Sequence, residues 1–155
     1  MIIIGIDPGS KSTGYGIVEK KADEIRFIAC GNIRPSGKLP FAKRIFEIFT
    51  GISRILEEYK PDEVAVEDLF HSKNAKSSLK LGHVRGAIIS AILLKDLPIF
   101  EYTPLEIKKA VVGYGAATKE QVKSMVSIIL KLNEDISFDS SDALAVAICH
   151  ANSRR

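Results

Sequence analysis

Four acidic residues stand where chemistry rather than folding best accounts for them. Asp7 closes the apolar run Ile2-Ile3-Ile4-Gly5-Ile6, and Glu67 closes Val64-Ala65-Val66. Asp139 and Asp142 open the last helical stretch, three residues apart and so on one face of a helix. A carboxylate at the end of a buried strand is costly unless its charge has a partner. Several together call for a hard divalent cation, and two such cations can flank one phosphate, activating water on one side and easing the leaving oxygen on the other. Each acid also has an ordinary reading. Asp7 suits a turn before Pro8-Gly9, Asp139 suits a helix N-cap, and Asp142 suits the first turn of a helix. Asp68 competes with Glu67 and points to the opposite face of the strand, and local pattern leaves that pair open.

The elements that must position these acids follow from periodicity. Residues 2–7 read as a buried strand, and Pro8–Ser12 as a tight turn. Residues 13–19 and 25–33 read as two antiparallel strands joined by a polar Lys20–Glu24 turn. Phe41, Ile45, Ile48, Ile52, Ile55 and Tyr59 form one apolar stripe, which predicts a helix from about 40 to 59. A strand at 63–67, a helix from about 75 to 95 and a strand at 98–102 come next. Helices at about 104–112, 118–131 and 139–151 complete the order βββαβαβααα, with Pro104 placed to start the first of them. The link from strand 1 to strand 2 is too short for a crossover, so those strands must be antiparallel, whereas the later βαβ units favour parallel pairing. The expected fold class is α/β, a mixed five-stranded sheet with three antiparallel then two parallel strands, flanked by helices. Strands 1 and 4 side by side bring Asp7 and Glu67 to one edge, the carboxyl ends where α/β folds place ligands.

Bulk properties set limits. The 155 residues suit one domain spanning 1–155. Lys and Arg number 22 against 19 Asp and Glu, a net charge of only +3, which does not by itself indicate nucleic acid. Gathering the acids into one cleft leaves the rest of the surface more basic. Cys30 and Cys149 lie in apolar contexts and read as buried and reduced. His71, His83 and His150 are scattered, so no zinc cluster is indicated. The chain enters its first strand without a leader pattern, and no apolar run nears the roughly 20 residues of a membrane span. The expected setting is the cytoplasm, without membrane association.

The ordered motifs resemble a known family. Ile4-Gly5-Ile6-Asp7-Pro8-Gly9-Ser10 with Thr13-Gly14-Tyr15-Gly16 is similar to the N-terminal signature of RuvC-type Holliday junction resolvases. Val66-Glu67-Asp68-Leu69-Phe70 with Lys73-Asn74 resembles the second motif, and Lys80-Leu81-Gly82 and Arg85-Gly86 match the helix after it. Phe100-Glu101-Tyr102, Lys108, Val111-Val112-Gly113 and Lys119 continue the likeness, and Asp139-Ser140-Ser141-Asp142-Ala143-Leu144-Ala145 resembles the closing motif. The resemblance implies a ribonuclease H-like fold, a homodimer, and cleavage of four-way DNA junctions with two Mg²⁺ per subunit, Mn²⁺ serving as a substitute. It implies Asp7, Glu67, Asp139 and Asp142 as the catalytic acids, Glu67 being favoured over Asp68. It also implies a branch-migration helicase complex as a partner.

Lys73, Lys76 and Lys80, with Lys108, Lys119 and Lys123, are spaced to meet phosphates, although any one of them also suits a solvated helix face. Lys108 and Lys119 match basic positions that the family places beside its active site. Phe70 suits either a base-stacking platform at the junction centre or a staple on the following helix; the resemblance supports stacking. Gly82, Gly86 and Ser90 form a small-residue stripe that faces either the sheet or, as the family pattern suggests, a second subunit. Gly14 and Gly16 read as a glycine-rich turn after Pro8-Gly9. The same Asp-x-Gly-x-x-x-Thr-Gly pattern resembles the first phosphate loop of actin-like ATPases and sugar kinases, which need a second loop and lobe. A ribonuclease H-like nuclease acting on RNA would also suit the acids, and a catalytically silent module would bind junctions without cutting them.

Overall fold

The computed structural model describes residues 1–68 and 74–154. Its strands are β1 (Ile2–Asp7), β2 (Thr13–Lys21), β3 (Glu24–Ile33), β4 (Glu63–Glu67) and β5 (Ile99–Tyr102). Its helices are α1 (Phe41–Tyr59), α2 (Ala75–Leu93), α3 (Pro104–Val112), α4 (Lys119–Ile129) and α5 (Phe138–Ser153). The sheet has five strands in the order β3-β2-β1-β4-β5. β1 pairs antiparallel with β2 and parallel with β4, β2 pairs antiparallel with β3, and β4 pairs parallel with β5.

Side-chain alternation divides the sheet between two helix layers. Ile4, Ile6, Ile17, Val64 and Val66 face α1 and α2 and pack with Ile48, Ile52, Val84 and Ile88. Ile3, Val18 and Ala65 face the other way and meet the layer of α3, α4 and α5. Asp7 continues the alternation of Ile3 and Gly5, and Glu67 that of Glu63 and Ala65. Both carboxylates are thereby sent to the α5 side. From Ser140 to Ala151 only Asp142 escapes full burial, so α5 is apolar almost all round because it lies inside the fold.

Three glycines let α5 lie flush on the sheet. A Cβ at Gly5 would come within 2.2 Å of the Ala143 carbonyl, one at Gly14 within 2.2 Å of the Asp139 carbonyl, and one at Gly16 within 2.7 Å of the Leu144 backbone nitrogen. Gly14 and Gly16 are therefore not a glycine-rich turn: they lie within β2, and their missing side chains admit the helix that carries two of the acids. The turn proper is Pro8–Ser12, closed by Thr13, whose Oγ1 donates to the Gly9 carbonyl at 2.9 Å.

Several boundaries differ from expectation for local reasons. β2 and β3 extend until Lys21 pairs with Glu24, so the hairpin narrows to Ala22-Asp23, with Ala22 left-handed at φ 50°. Asp139 is not an N-cap. Ser137 caps α5, accepting from the Ser140 amide at 3.1 Å, and places Asp139 in the first turn. Thr103 and Thr118 begin α3 and α4 with capping boxes to Glu106 and Gln121. Both cysteines are free, but Cys30 is half-buried on the edge strand rather than buried like Cys149. Among the described residues no helix is long and apolar enough to cross a membrane.

Candidate active site

The β1–β4 register sets the site. Ile6 pairs with Val66, so the next residues, Asp7 and Glu67, leave adjacent strands at the same level. Across β1 on the other side stands Gly14, and across β4 stands Tyr102. Asp142, one helical turn inside α5, completes a cleft of about 320 Å³ whose polar lining is Asp7, Glu67, Asp142, Lys108 and Lys119. Ile107 and Val122 supply apolar wall.

The acids strain against one another. Asp7 is pushed up to about 9, by burial first, then by its hydrogen bond to Glu67 and the charges of Glu67, Asp142 and Asp139. Asp142 is also raised, by burial first; Lys119 opposes that shift and Glu67 adds to it. Lys119 Nζ lies 3.6 Å from Asp142 Oδ2. Like charges crowded in a buried cleft each favour the neutral form of their neighbours.

The donor set fits a hard divalent metal. It offers carboxylate oxygens without cysteine or histidine, and it is crowded with negative charge. Among the described residues no three His, Cys, Asp or Glu side chains form a ready-made cage. An open carboxylate site is the arrangement Mg²⁺ favours, because that ion keeps waters and substrate oxygens in its shell.

The remaining residues singled out from the sequence divide clearly. Asp139 does not line the cleft; it lines the neighbouring recess with Arg34, Lys123 and Ser137, although its charge reaches Asp7 and Asp142. Lys123 pairs with Asp135 at 2.8 Å and sits 4.9 Å from the centre of the Phe138 ring. Lys76 and Lys80 are exposed at the start of α2, outside the cleft, with Lys80 Nζ 5.5 Å from the Phe41 ring centre. Phe70 and Lys73 lie outside the described residues. Asp68 is separated from Glu67 by its partner as well as by face: it pairs with Arg85 at 3.4 Å on the α2 side. Sequence reasoning places Arg85 in a motif without a role, because its partners on β4 and β5 are visible only in three dimensions. The apolar wall from Ile107 and Val122 escapes such reasoning because at helical spacing these residues read as core.

Comparison with known proteins identifies the family. The family model described as crossover junction endodeoxyribonuclease RuvC matches residues 3–150. The relative of that name from Geobacter sulfurreducens is 52% identical over 153 residues, covering 99% of this chain and 93% of its own length. The one from Acinetobacter baylyi is 51% identical over 151 residues, covering 97% and 83%. The solved structure of T. thermophilus RuvC in complex with Holliday junction substrate superposes with a TM-score of 0.91 at 33% identity, covering 97% of this chain and 93% of that one. The ribonuclease H-like architecture expected from the sequence is the one observed. The chain belongs to the RuvC family of crossover junction endodeoxyribonucleases.

Proposed function

We propose that this nuclease, a single domain acting in the cytoplasm, resolves four-way DNA junctions by paired symmetric nicks during recombination and repair. Asp7, Glu67 and Asp142 are its metal-holding acids, joined by Asp139, which lines the adjoining recess and whose charge is felt at Asp7 and Asp142. The observation that carries the reading is the cleft in which Asp7, Glu67 and Asp142 meet beside Lys108 and Lys119, with Asp7 driven up to about 9 by its surroundings. When bound, two Mg²⁺ supply the Lewis acidity that makes a water nucleophilic and offsets charge on the leaving oxygen.

The chain's own residues do the rest. The strand register fixes where the Asp7 and Glu67 carboxylates leave the sheet. Gly14 lets the first turn of α5 press close enough for Asp142 to join them. Lys108 and Lys119 draw the scissile phosphate into a cleft that acids alone would repel, and Lys119 balances Asp142 until the phosphate arrives. Lys73, Lys76, Lys80 and Lys123 hold flanking phosphates, and Phe70 stacks on a base at the junction centre. Lys123 exchanges Asp135 for phosphate as it does so.

Paired nicks need two sites on strands of like polarity, which a two-fold dimer provides. Support comes from α2, where Leu79, Gly82, Gly86, Ser90 and Leu93 form an exposed line, and a Cβ at either glycine meets nothing within 4 Å. The stripe therefore faces away from the sheet. A branch-migration helicase complex, implied by the family resemblance, is the further partner in this reading.

The test is a synthetic four-way junction incubated with Mg²⁺ or with EDTA. Cleavage is expected only with metal and is lost in Asp7→Asn, while binding survives because removing a carboxylate lessens repulsion of phosphate. An Asp7→Asn protein cutting at the normal rate contradicts the assignment.

A further inference from the structure

Glu67 is the last residue of β4, and a strand end frays unless its free backbone groups are held. Two contacts hold it here. The Asp68 amide donates to the Tyr102 carbonyl at 2.8 Å, carrying the β4–β5 ladder one step past Glu67. From the opposite layer, Arg85 Nη1 donates to the Glu67 carbonyl at 2.5 Å. The same guanidinium lies 3.4 Å from the Asp68 carboxylate and is ion-paired with Glu101 on β5. Its side chain is only 15% exposed, so these contacts are poorly screened.

The arrangement answers a difficulty built into the Glu67-Asp68 pair. Both residues carry a carboxylate, and a cation beside Glu67 attracts either. Strand alternation sends Asp68 to the α2 side, but at a strand end alternation is weakly enforced. Arg85 enforces it, because a planar fork of donors can hold a carbonyl and two carboxylates together. We propose that Arg85 is a positioning residue for the nuclease site: it fixes the backbone at Glu67 in register with Asp7 and keeps Asp68 out of the cleft. The proposal rests on the metal-holding role assigned to Glu67 above. It also makes α2 a bracket whose placement is felt at Glu67.

The test compares Arg85→Met, Arg85→Lys, Asp68→Asn and the double variant Arg85→Met/Asp68→Asn. Mn²⁺ binding is measured by calorimetry without DNA, and single-turnover junction cleavage is titrated with Mg²⁺. Arg85→Met weakens Mn²⁺ binding and raises the Mg²⁺ half-saturation by about tenfold, within the range seen when groups that orient metal ligands are removed. Junction binding in EDTA is unchanged. Asp68→Asn alone behaves as wild type, and in the Arg85→Met background it recovers part of the lost affinity. Arg85→Lys keeps the charge without the fork and falls between wild type and Arg85→Met; it carries the test with the same readouts should Arg85→Met fail to fold. A lower melting temperature with both metal constants within about twofold of wild type means Arg85 only ties α2 to the sheet, and overturns the proposal. A control separates the two levels. If Glu67→Gln cleaves normally, the role of Glu67 itself fails; if Glu67→Gln is dead while Arg85→Met is normal, only the inference about Arg85 fails.

Discussion

Asp7 and Glu67 follow the paired residues Ile6 and Val66 at the ends of neighbouring parallel strands, and both carboxyl groups line one cleft. Two carboxylates so placed repel one another, and burial together with Glu67 raises the Asp7 carboxyl above the usual carboxylate range. A cation bound there favours the ionised form, so its binding is expected to release a proton.

Metal affinity is therefore expected to rise with pH toward about 9, the value to which Asp7 is pushed. Calorimetry in buffers of different ionisation enthalpy checks this, since the apparent heat of Mn²⁺ binding tracks the buffer when protons are released. A heat independent of buffer contradicts it.

The same group links stability to pH. Its folded value lies above the ordinary 3.8, so protonated Asp7 favours folding; that contribution is complete at acid pH and is lost as pH rises toward about 9. Asp7→Asn removes the dependence. In EDTA its melting temperature is expected to gain on wild type as pH increases from 5 to 9, the more stable protein being the inactive one.

Lys119 holds Asp142 down against burial. Lys119→Ala is expected to move the acid limb of the pH–rate profile to higher pH and to lower the rate about 100- to 1,000-fold, as for loss of an electrostatic group near the reacting phosphate. A pH profile superimposable on wild type contradicts the pairing.

Gly5→Ala drives a methyl group into the Ala143 carbonyl and is expected to destabilise the fold by about 1–3 kcal/mol or more, as overpacking does. Gly14→Ala presses on the Asp139 carbonyl and is expected to reduce cleavage beyond its effect on melting temperature. Chemical denaturation and single-turnover rates separate the two effects.

At the far end of β4, buried His150 bonds to Glu63 at 2.6 Å and to the Tyr102 hydroxyl at 2.7 Å. His150→Ala is expected to cost about 2–4 kcal/mol through lost packing and orphaned polar partners, with metal affinity unchanged in the protein that remains folded. Thermal melts and Mn²⁺ titration measure the two parts.

The elements are legible in the sequence because hydrophobic period, proline and glycine act locally. The Phe41-to-Tyr59 stripe and Pro104 need no distant partner to be read. The meeting of Asp7 with Glu67 is also legible, since a short first hairpin and a βαβ order leave few topologies. What escapes reading depends on contacts across the fold. Gly14 and Gly16 look like a turn because nothing nearby shows that α5 lies over them. Local pattern leaves Glu67 and Asp68 equivalent, and only the family resemblance favours Glu67, until Arg85, 17 residues beyond Asp68, takes Asp68. His150 looks scattered because Glu63 and Tyr102 are remote in the chain.

The proposed chemistry requires that the Asp7, Glu67 and Asp142 carboxylates of one cleft hold divalent metal. Anomalous diffraction at the manganese edge, from crystals grown with Mn²⁺ and junction DNA, locates such ions by element. Peaks within ligand distance of the Asp7, Glu67 and Asp142 carboxylates are expected. Junction DNA seated over the cleft with manganese bound only elsewhere on the protein would refute the assignment.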